Sequence, residues 1–462
     1  MCDYLYLYPT PQIIEYSNTT LTVHYLFSSD LHNKKGGKQY TINKVAIEIL
    51  SQFNGKKTYD EIISALVHKY GDSYEEIEDK VRGFIDCLTS LYGFEVQKQS
   101  QPQLHEIKIY KYNNIYPTVA SIELTDKCNA RCLHCYGNFA PENINELPLE
   151  SAFFILESLH EIGIKIIEIT GGEPSIYPYT AEIINKAFQI GIPTIMFLSN
   201  GIHLSHHLMD TIIQYKDNMF VQIDLHSLKD SYYDWFTQTK GNLSRVKKNI
   251  DYLIKNGVRV RICSIFTPQN VDELVDINEW AHEHGAISYA PSIVTSLGRA
   301  TTKENSNHLF FTTPEALLNF QSQYQAACNK YPGFIQEMVT IDEITRKNCG
   351  AITSEISIKT DGSIKLCNMD TGHYFDLGLG NAFTMTIKEI FDQNSDLLNS
   401  LMELTLPKID GEECKLCSLR AFCSNCLLRG ILGAKERKGD CLWYQKKVPI
   451  LLKDRLSQFV TE

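Results

Sequence analysis

Between residues 118 and 293 short apolar runs alternate with longer amphipathic ones. TVASIEL (118–124), KIIEIT (165–170), PTIMFLS (193–199), MFVQIDL (219–225), VRVRICSIF (258–266) and AISYAPSI (286–293) are near-continuous apolar segments of strand length. Segments such as SAFFILESLHEIG and NLSRVKKNIDYLIKNG carry a helical stripe between them. This alternation predicts an α/β fold of six strand–helix units, a parallel sheet covered on its outer face and closed partly or fully as a barrel. Reactive groups of such barrels gather at the carboxyl ends of the strands, where Cys128, Gly171 to Pro174 and Ser199 to Gly201 fall.

The first 100 residues read differently. QIIEY and LTVHYLF are strand-like, Gly36 and Gly37 mark a turn, and three helical segments follow. Thr41 precedes the first of these, which puts Val45, Ala46, Ile49, Leu50 and Phe53 on one face. Thr58 with Glu61, and Ser73 with Glu76, match the capping box that opens a helix, and Gly71 and Gly93 are placed to close the two helices. Strands with three short helices predict a winged helix-turn-helix-like domain, a shape common in DNA binding. Its ten Lys and Arg against thirteen Asp and Glu argue against phosphate affinity. A polar linker is expected around Gln99 to His105, a helical bridge over about 313–345, and a cysteine-rich, loop-rich end.

A chain of 462 residues allows about three domains at ~150 residues each. The formal net charge of −11 speaks against nucleic acid and favours a peptide or small-molecule substrate. The N-terminus MCDYLYLYPTPQ has neither a basic region nor an uninterrupted apolar core, and no stretch reaches the ~18 apolar residues of a membrane span. Ten of the fourteen cysteines fall in two clusters, leaving Cys2, Cys87, Cys263 and Cys328 outside. Clustering of that kind suits metal in a reduced, cytoplasmic compartment better than a disulfide framework. The isolated thiols of Cys87 and Cys263 read as small apolar fillers.

Cys128, Cys132 and Cys135, in CNARCLHCYG, can hold three corners of a four-iron cluster and leave the fourth iron free for a cofactor. A zinc site completed by His134 or a distant residue is the alternative. After the next strand, Gly171-Gly172-Glu173-Pro174 offers two residues without Cβ that let backbone approach a ligand closely, and Glu173 can accept from a cationic amine.

Cys128-x3-Cys132-x2-Cys135 followed by Tyr136, then Gly171-Gly172-Glu173-Pro174, resembles the radical S-adenosylmethionine (SAM) superfamily. The resemblance implies that the three cysteines bind a catalytic [4Fe-4S] cluster, that Tyr136 lies by the adenine, that the Gly-Gly-Glu turn takes the methionine amine, and that Ser199 and Asn200 contact the ribose. At the fourth strand this sequence departs from the family: Asp224 stands where relatives often have serine, and Thr237 where they have an arginine that holds the methionine carboxylate. Ser227, Lys240 or Arg261 can substitute. Asp224 can meet the ribose hydroxyls or join a buried polar network.

Further on, Cys349, Cys367, Cys414, Cys417, Cys423, Cys426 and Cys441 suit zinc ribbons in part, but the whole pattern resembles the SPASM domain of peptide-modifying radical enzymes. That resemblance implies two auxiliary iron-sulfur clusters, one enclosed by Cys414, Cys417, Cys423 and Cys441, the other held by Cys349, Cys367 and Cys426 with its fourth position unassigned. The N-terminal unit in turn resembles the leader-binding recognition element of ribosomally made, modified peptides. The expected order is a recognition element (1–100), a partial (β/α)6 TIM-like radical SAM barrel (101–312), a helical bridge (313–348) and a C-terminal cysteine-rich iron-sulfur SPASM domain (349–462).

The combination resembles the subtilosin-type maturases, as do Gly298-Arg299-Ala300 and CSNCLLRG around Cys426. It implies one-electron cleavage of S-adenosylmethionine, hydrogen removal from a precursor peptide, and a cysteine sulfur-to-carbon bridge. No acid or base residue is required at the abstraction step. The implied partners are a precursor peptide and an electron donor such as flavodoxin or ferredoxin, with neither nucleic acid nor membrane. The rivals are a carbon–carbon crosslink or epimerisation by the same machinery, a non-catalytic zinc-containing peptide carrier, and a winged-helix regulator with an iron-sulfur sensor.

Overall fold

The computed structural model describes residues 3–17, 22–27, 39–92, 94–335, 348–370, 374 and 376–461. The chain divides into two compact units, Met1–Ile115 and Tyr116–Glu462.

In the first unit β2 (Gln12–Ser17) lies between β3 (Thr22–Phe27), antiparallel, and β7 (Lys108–Tyr112), parallel, and β4 (Gln39–Ile42) continues the sheet beyond β3. A second antiparallel sheet orders β5 (Asn54–Thr58), β1 (Tyr4–Tyr8) and β6 (Glu95–Gln99). Three helices complete the unit, and Leu50, Phe53, Ile62, Ile63, Leu66, Ile77 and Val81 pack against Leu7, Ile13 and Leu26 in its core. Both capping boxes form, Thr58 with Glu61 and Ser73 with Glu76, and Gly71 closes its helix in the left-handed conformation. The first helix, Lys44–Gln52, is capped by Asn43, whose side chain accepts from Ala46 N–H. Gly36, Gly37 and Gly93 lie outside the described residues.

The polar stretch Gln99–His105 is not a free linker. The His105 ring stacks on Tyr6 at 3.8 Å, and the Gln99 amide donates to Gly55 O and Gln103 O. Edge-strand hydrogen bonding outweighs the polarity of this stretch, and β7 returns the chain to the same unit.

The second unit is an α/β partial barrel. Strands β8 (Val119–Glu123), β9 (Ile166–Thr170), β10 (Thr194–Ser199), β11 (Met219–Asp224), β12 (Arg259–Phe266) and β13 (Ser288–Ile293) pair in parallel, each beside its sequence neighbour. In β12 Val260, Ile262, Ser264 and Phe266 are buried, while Arg259, Arg261, Cys263 and Ile265 between them are half-buried. Alternate positions therefore lie under helices, and the intervening ones line the lumen. Helix Leu149–Glu161 buries Ala152, Ile155, Leu156 and Leu159, the i, i+3, i+4, i+7 stripe of a helix on a sheet.

Sequence alternation gave no sign of the strands that extend this sheet. β14 (Glu355–Ile358) pairs parallel with β8, and β15 (Ile364–Lys365) pairs antiparallel with β14, so the cysteine-rich end shares one sheet with the barrel. Part of the expected bridge is the helix Pro314–Lys330; residues 336–347 lie outside the described residues. No described helix is long and apolar enough to cross a membrane.

Candidate functional site: thiols and a glycine turn at the strand ends

Residues 128–139 follow β8 with neither helix nor strand, so their backbone polar groups must find partners elsewhere in the fold. Cys128 N–H donates to Ala140 O (3.1 Å), Arg131 N–H to Thr237 O (3.1 Å) and Leu133 N–H to Phe236 O (2.9 Å). Thr237, where relatives often place arginine, thus serves here as a buried anchor for the cysteine loop. His134 stacks on Phe236 at 4.6 Å and meets His226 edge-on at 4.9 Å, which makes it a packing residue; burial pushes it down to about 4.

In Gly171-Gly172-Glu173-Pro174 the two glycines let the turn lie close against the chain itself: a Cβ on Gly171 would stand 2.4 Å from Thr125 O, and one on Gly172 2.2 Å from Lys127 O. Gly171 also holds a φ of +130°. Gly172 N–H donates to Thr125 O (2.6 Å) and Glu173 N–H to Lys127 O (2.9 Å), so the turn fixes the segment that leads into Cys128. Pro174 then opens a short 3-10 turn.

Glu173 is almost fully buried. Its Oε1 accepts from Ser199 Oγ (2.8 Å) and Ser175 N–H (3.0 Å), and its Oε2 from Asn200 N–H (2.7 Å). Burial raises its pKa, against these donors. A carboxylate offers about four lone-pair positions, so three protein donors leave one for a ligand cation. Asn200 also donates to Asn129 Oδ1 (2.6 Å), and its amide nitrogen lies 3.9 Å from Cys128 Sγ. Glu173, Ser199, Asn200 and the cysteine loop are therefore one hydrogen-bonded assembly.

Asp224 ends β11, and burial with the neighbouring Glu173 charge pushes it up to about 7. Among the candidates for a carboxylate partner, Ser227 is consumed by both oxygens of Glu273 (3.0 and 2.8 Å) and Lys240 is exposed. Arg261 stands on β12 beside Gln222, within electrostatic reach of Asp224 and Glu168, and its buried Nε has no hydrogen-bond partner. Burial, then Glu123, Cys135, Cys367 and Glu168, raise the pKa of the Tyr136 hydroxyl far above the ordinary phenol range. Tyr136 thus lies between the barrel thiols and one thiol of the C-terminal group.

That group falls into two sets. Cys426 lies within electrostatic reach of Cys349 and Cys367; Cys414, Cys417 and Cys441 lie within reach of Cys423 and line one cavity with it. No disulfide joins the described cysteines.

The donor chemistry fits iron-sulfur clusters. Backbone N–H groups of Phe139, Gly137 and Asn138 are directed at Cys135 sulfur; Arg429 N–H (3.5 Å) donates to Cys426 and the Arg437 guanidinium (3.5 Å) to Cys417. Such donors stabilise sulfur-borne negative charge and tune cluster potentials.

The comparisons with known proteins agree with this geometry. The Radical SAM superfamily profile matches residues 122–281, and the profile of coenzyme PQQ synthesis protein D (PqqD) matches residues 31–91. The antilisterial bacteriocin subtilosin biosynthesis protein AlbA of Bacillus subtilis is 27% identical over 415 residues, covering 87% of this chain and 88% of its own. The sporulation killing factor maturation protein SkfB of Bacillus subtilis is 25% identical over 185 residues, 40% of this chain and 44% of its own. In fold, the crystal structure of Streptococcus suis SuiB bound to S-adenosylmethionine superposes with a TM-score of 0.62 at 13% identity, over 97% of this chain and 100% of that one. Radical SAM proteins use S-adenosylmethionine and a [4Fe-4S] cluster. On these matches, and on the thiol loop that the glycine turn holds in place, the chain carries a Radical SAM superfamily domain over residues 122–281 and a PqqD-like domain over residues 31–91.

Proposed function

We propose that the chain is a cytoplasmic peptide maturase that removes a hydrogen atom from a carbon of a ribosomally made precursor and joins a cysteine sulfur of that peptide to it as a thioether. One observation carries this reading: the match to AlbA, a protein named for subtilosin biosynthesis, runs through 87% of the chain. SkfB is named for peptide maturation, and SuiB has been crystallised with a precursor peptide, SuiA. In this reading residues 1–100 take the leader of the precursor, and residues 349–462 form the SPASM domain.

Cys128, Cys132 and Cys135 would hold the catalytic cluster; Cys414, Cys417, Cys423 and Cys441 one auxiliary cluster; Cys349, Cys367 and Cys426 the other. When bound, S-adenosylmethionine and the clusters supply one-electron chemistry that takes a hydrogen atom from an unactivated carbon. The chain's own residues bind and aim. Glu173, locked by Ser199 and Asn200, offers its remaining lone pair to the methionine amine. Arg261 presents its unpaired Nε to the methionine carboxylate, Asp224 meets the ribose, and Tyr136 lies by the adenine. A flavodoxin or ferredoxin supplies the electron that starts the reaction; forming the carbon–sulfur bond breaks the peptide S–H, releasing its proton to solvent and one surplus electron, which an auxiliary cluster would take up.

The test is the intact mass of a cysteine-containing precursor peptide after anaerobic incubation with reconstituted enzyme, S-adenosylmethionine and a low-potential reductant. Loss of two hydrogens per modified cysteine, with that thiol closed to alkylation, is expected. An unchanged mass despite 5'-deoxyadenosine release would overturn the crosslinking reading in favour of epimerisation or another substrate.

A further inference from the structure

The segment just past β13, Gly298-Arg299-Ala300, grips the cysteine loop from outside. Arg299 N–H donates to Cys135 O (2.9 Å), its Nη1 to Cys132 O (2.7 Å) and its Nη2 to Phe139 O (2.7 Å). One residue therefore holds three carbonyls of a loop that has no secondary structure of its own. Arg299 is itself held, since Asn305 Nδ2 donates to Arg299 O (3.0 Å).

Its neighbours make this approach possible. Gly298 has a φ of +54°, and a Cβ there would stand 2.3 Å from Tyr136 O and 2.6 Å from Cys135 O. Ala300 is buried in an apolar cluster with Phe236, Val294 and Leu309, against which Leu133 of the loop packs. Glycine allows the contact, arginine makes it, and alanine seats it.

We infer that Arg299 is a positioning residue that pre-forms the Cys128–Phe139 loop before iron arrives and keeps a positive charge inside the turn that carries Cys132 and Cys135. The planar guanidinium reaches two carbonyls at fixed separation, which a lysine ammonium cannot reproduce. Its charge sits on Cys132 O and Phe139 O, the carbonyls on either side of Cys135 in the loop. Net charge and hydrogen bonding near an iron-sulfur cluster set its potential, so the same residue shapes the site and favours its reduced state.

The inference rests on the reading that these thiols hold a cluster, and the experiment separates the two. Hydrogen exchange of the iron-free full chain is followed for peptides covering 128–139 in wild type, Arg299→Lys, Arg299→Gln and Gly298→Ala. Exchange there is expected to rise at least about tenfold in all three variants, the factor expected for losing a charge-assisted hydrogen bond. The other barrel peptides should be unchanged. In the iron-loaded chain, the midpoint potential of the electron-paramagnetic signal that responds to S-adenosylmethionine is expected to fall in Arg299→Gln by about 59 mV, a tenfold change for one electron. Arg299→Lys should stay at the wild-type potential. Wild-type exchange in Arg299→Gln and Gly298→Ala would overturn the positioning role, as would a rise spread over the whole barrel. Equal potentials in Arg299→Gln and wild type, or equal shifts in Arg299→Gln and Arg299→Lys, would overturn the charge role. Failure of wild type to take up iron would instead sink the cluster reading and leave the exchange result standing.

Discussion

Lys365 donates its ammonium to the Glu123 carboxylate at 2.5 Å, and both side chains are buried. Lys365 stands in β15, two residues before Cys367, while Glu123 ends the first strand of the barrel. Asn368, on the other side of Cys367, donates to Glu168 (3.1 Å) on β9 and Glu355 (2.7 Å) on β14. A C-terminal thiol is thus tied from both flanks to the lumen wall.

Lys365→Met is expected to destabilise the protein by about 3–5 kcal/mol, because it leaves Glu123 charged, buried and unpaired. Pairing it with Glu123→Leu should recover most of that loss. Denaturant midpoints of the two variants check this, and equal losses in both would refute it.

Gly172→Ala forces a Cβ against Lys127 O and displaces the residue before Cys128. Iron content after reconstitution should fall by about the share of one cluster, with the iron of the proposed auxiliary clusters retained. Gly71→Ala is the control. It strains a φ of +77° but meets nothing within 4 Å, so it should cost about 1 kcal/mol and no iron.

Arg261→Gln removes the proposed partner of the methionine carboxylate. The dissociation constant for S-adenosylmethionine should rise at least about tenfold, the scale of one hydrogen bond to a charged group, with the fold unchanged. Equilibrium binding to the iron-loaded protein measures it; wild-type affinity would return the carboxylate to another residue.

Lys165, buried just before β9, is pushed down by burial to about 8 from 10.5. Between those values the unfolded chain binds more protons than the native one, so this group adds stability as pH rises through that window. Below pH 8 its buried charge is a cost. The stability gap of Lys165→Met over wild type should therefore shrink as pH rises from 8 toward 10.5. Melting temperatures compared across pH provide the check, and a gap that widens with pH would contradict it.

What the sequence disclosed was local. The six barrel strands were legible because each is a short, near-continuous apolar run, and the capping boxes at Thr58 and Ser73 because four residues suffice to write one. The thiol triplet was legible as spacing alone. What stayed hidden joins distant residues. β14 and β15 are four and two residues long and gain their identity only from pairing, β14 with β8 and β15 with β14. Arg299 meets carbonyls of Cys132 and Phe139 at separations of 167 and 160 residues. The glycines of the turn did not disclose that Thr125 and Lys127 lie against them. The cap of the first helix also went unread: Asn43 accepts there from Ala46 N–H.

The union of β14 with β8 also sets a timetable. As the chain leaves the ribosome the barrel strands emerge in their order of pairing, but one edge of β8 has no strand to receive it until residues 355–358 appear. Throughout that interval an apolar strand presents unpaired N–H and C=O groups, the kind of edge at which nascent chains join one another. Truncated chains ending before residue 355 should accordingly be prone to aggregate, and slow translation through the cysteine-rich end should lengthen the period of risk.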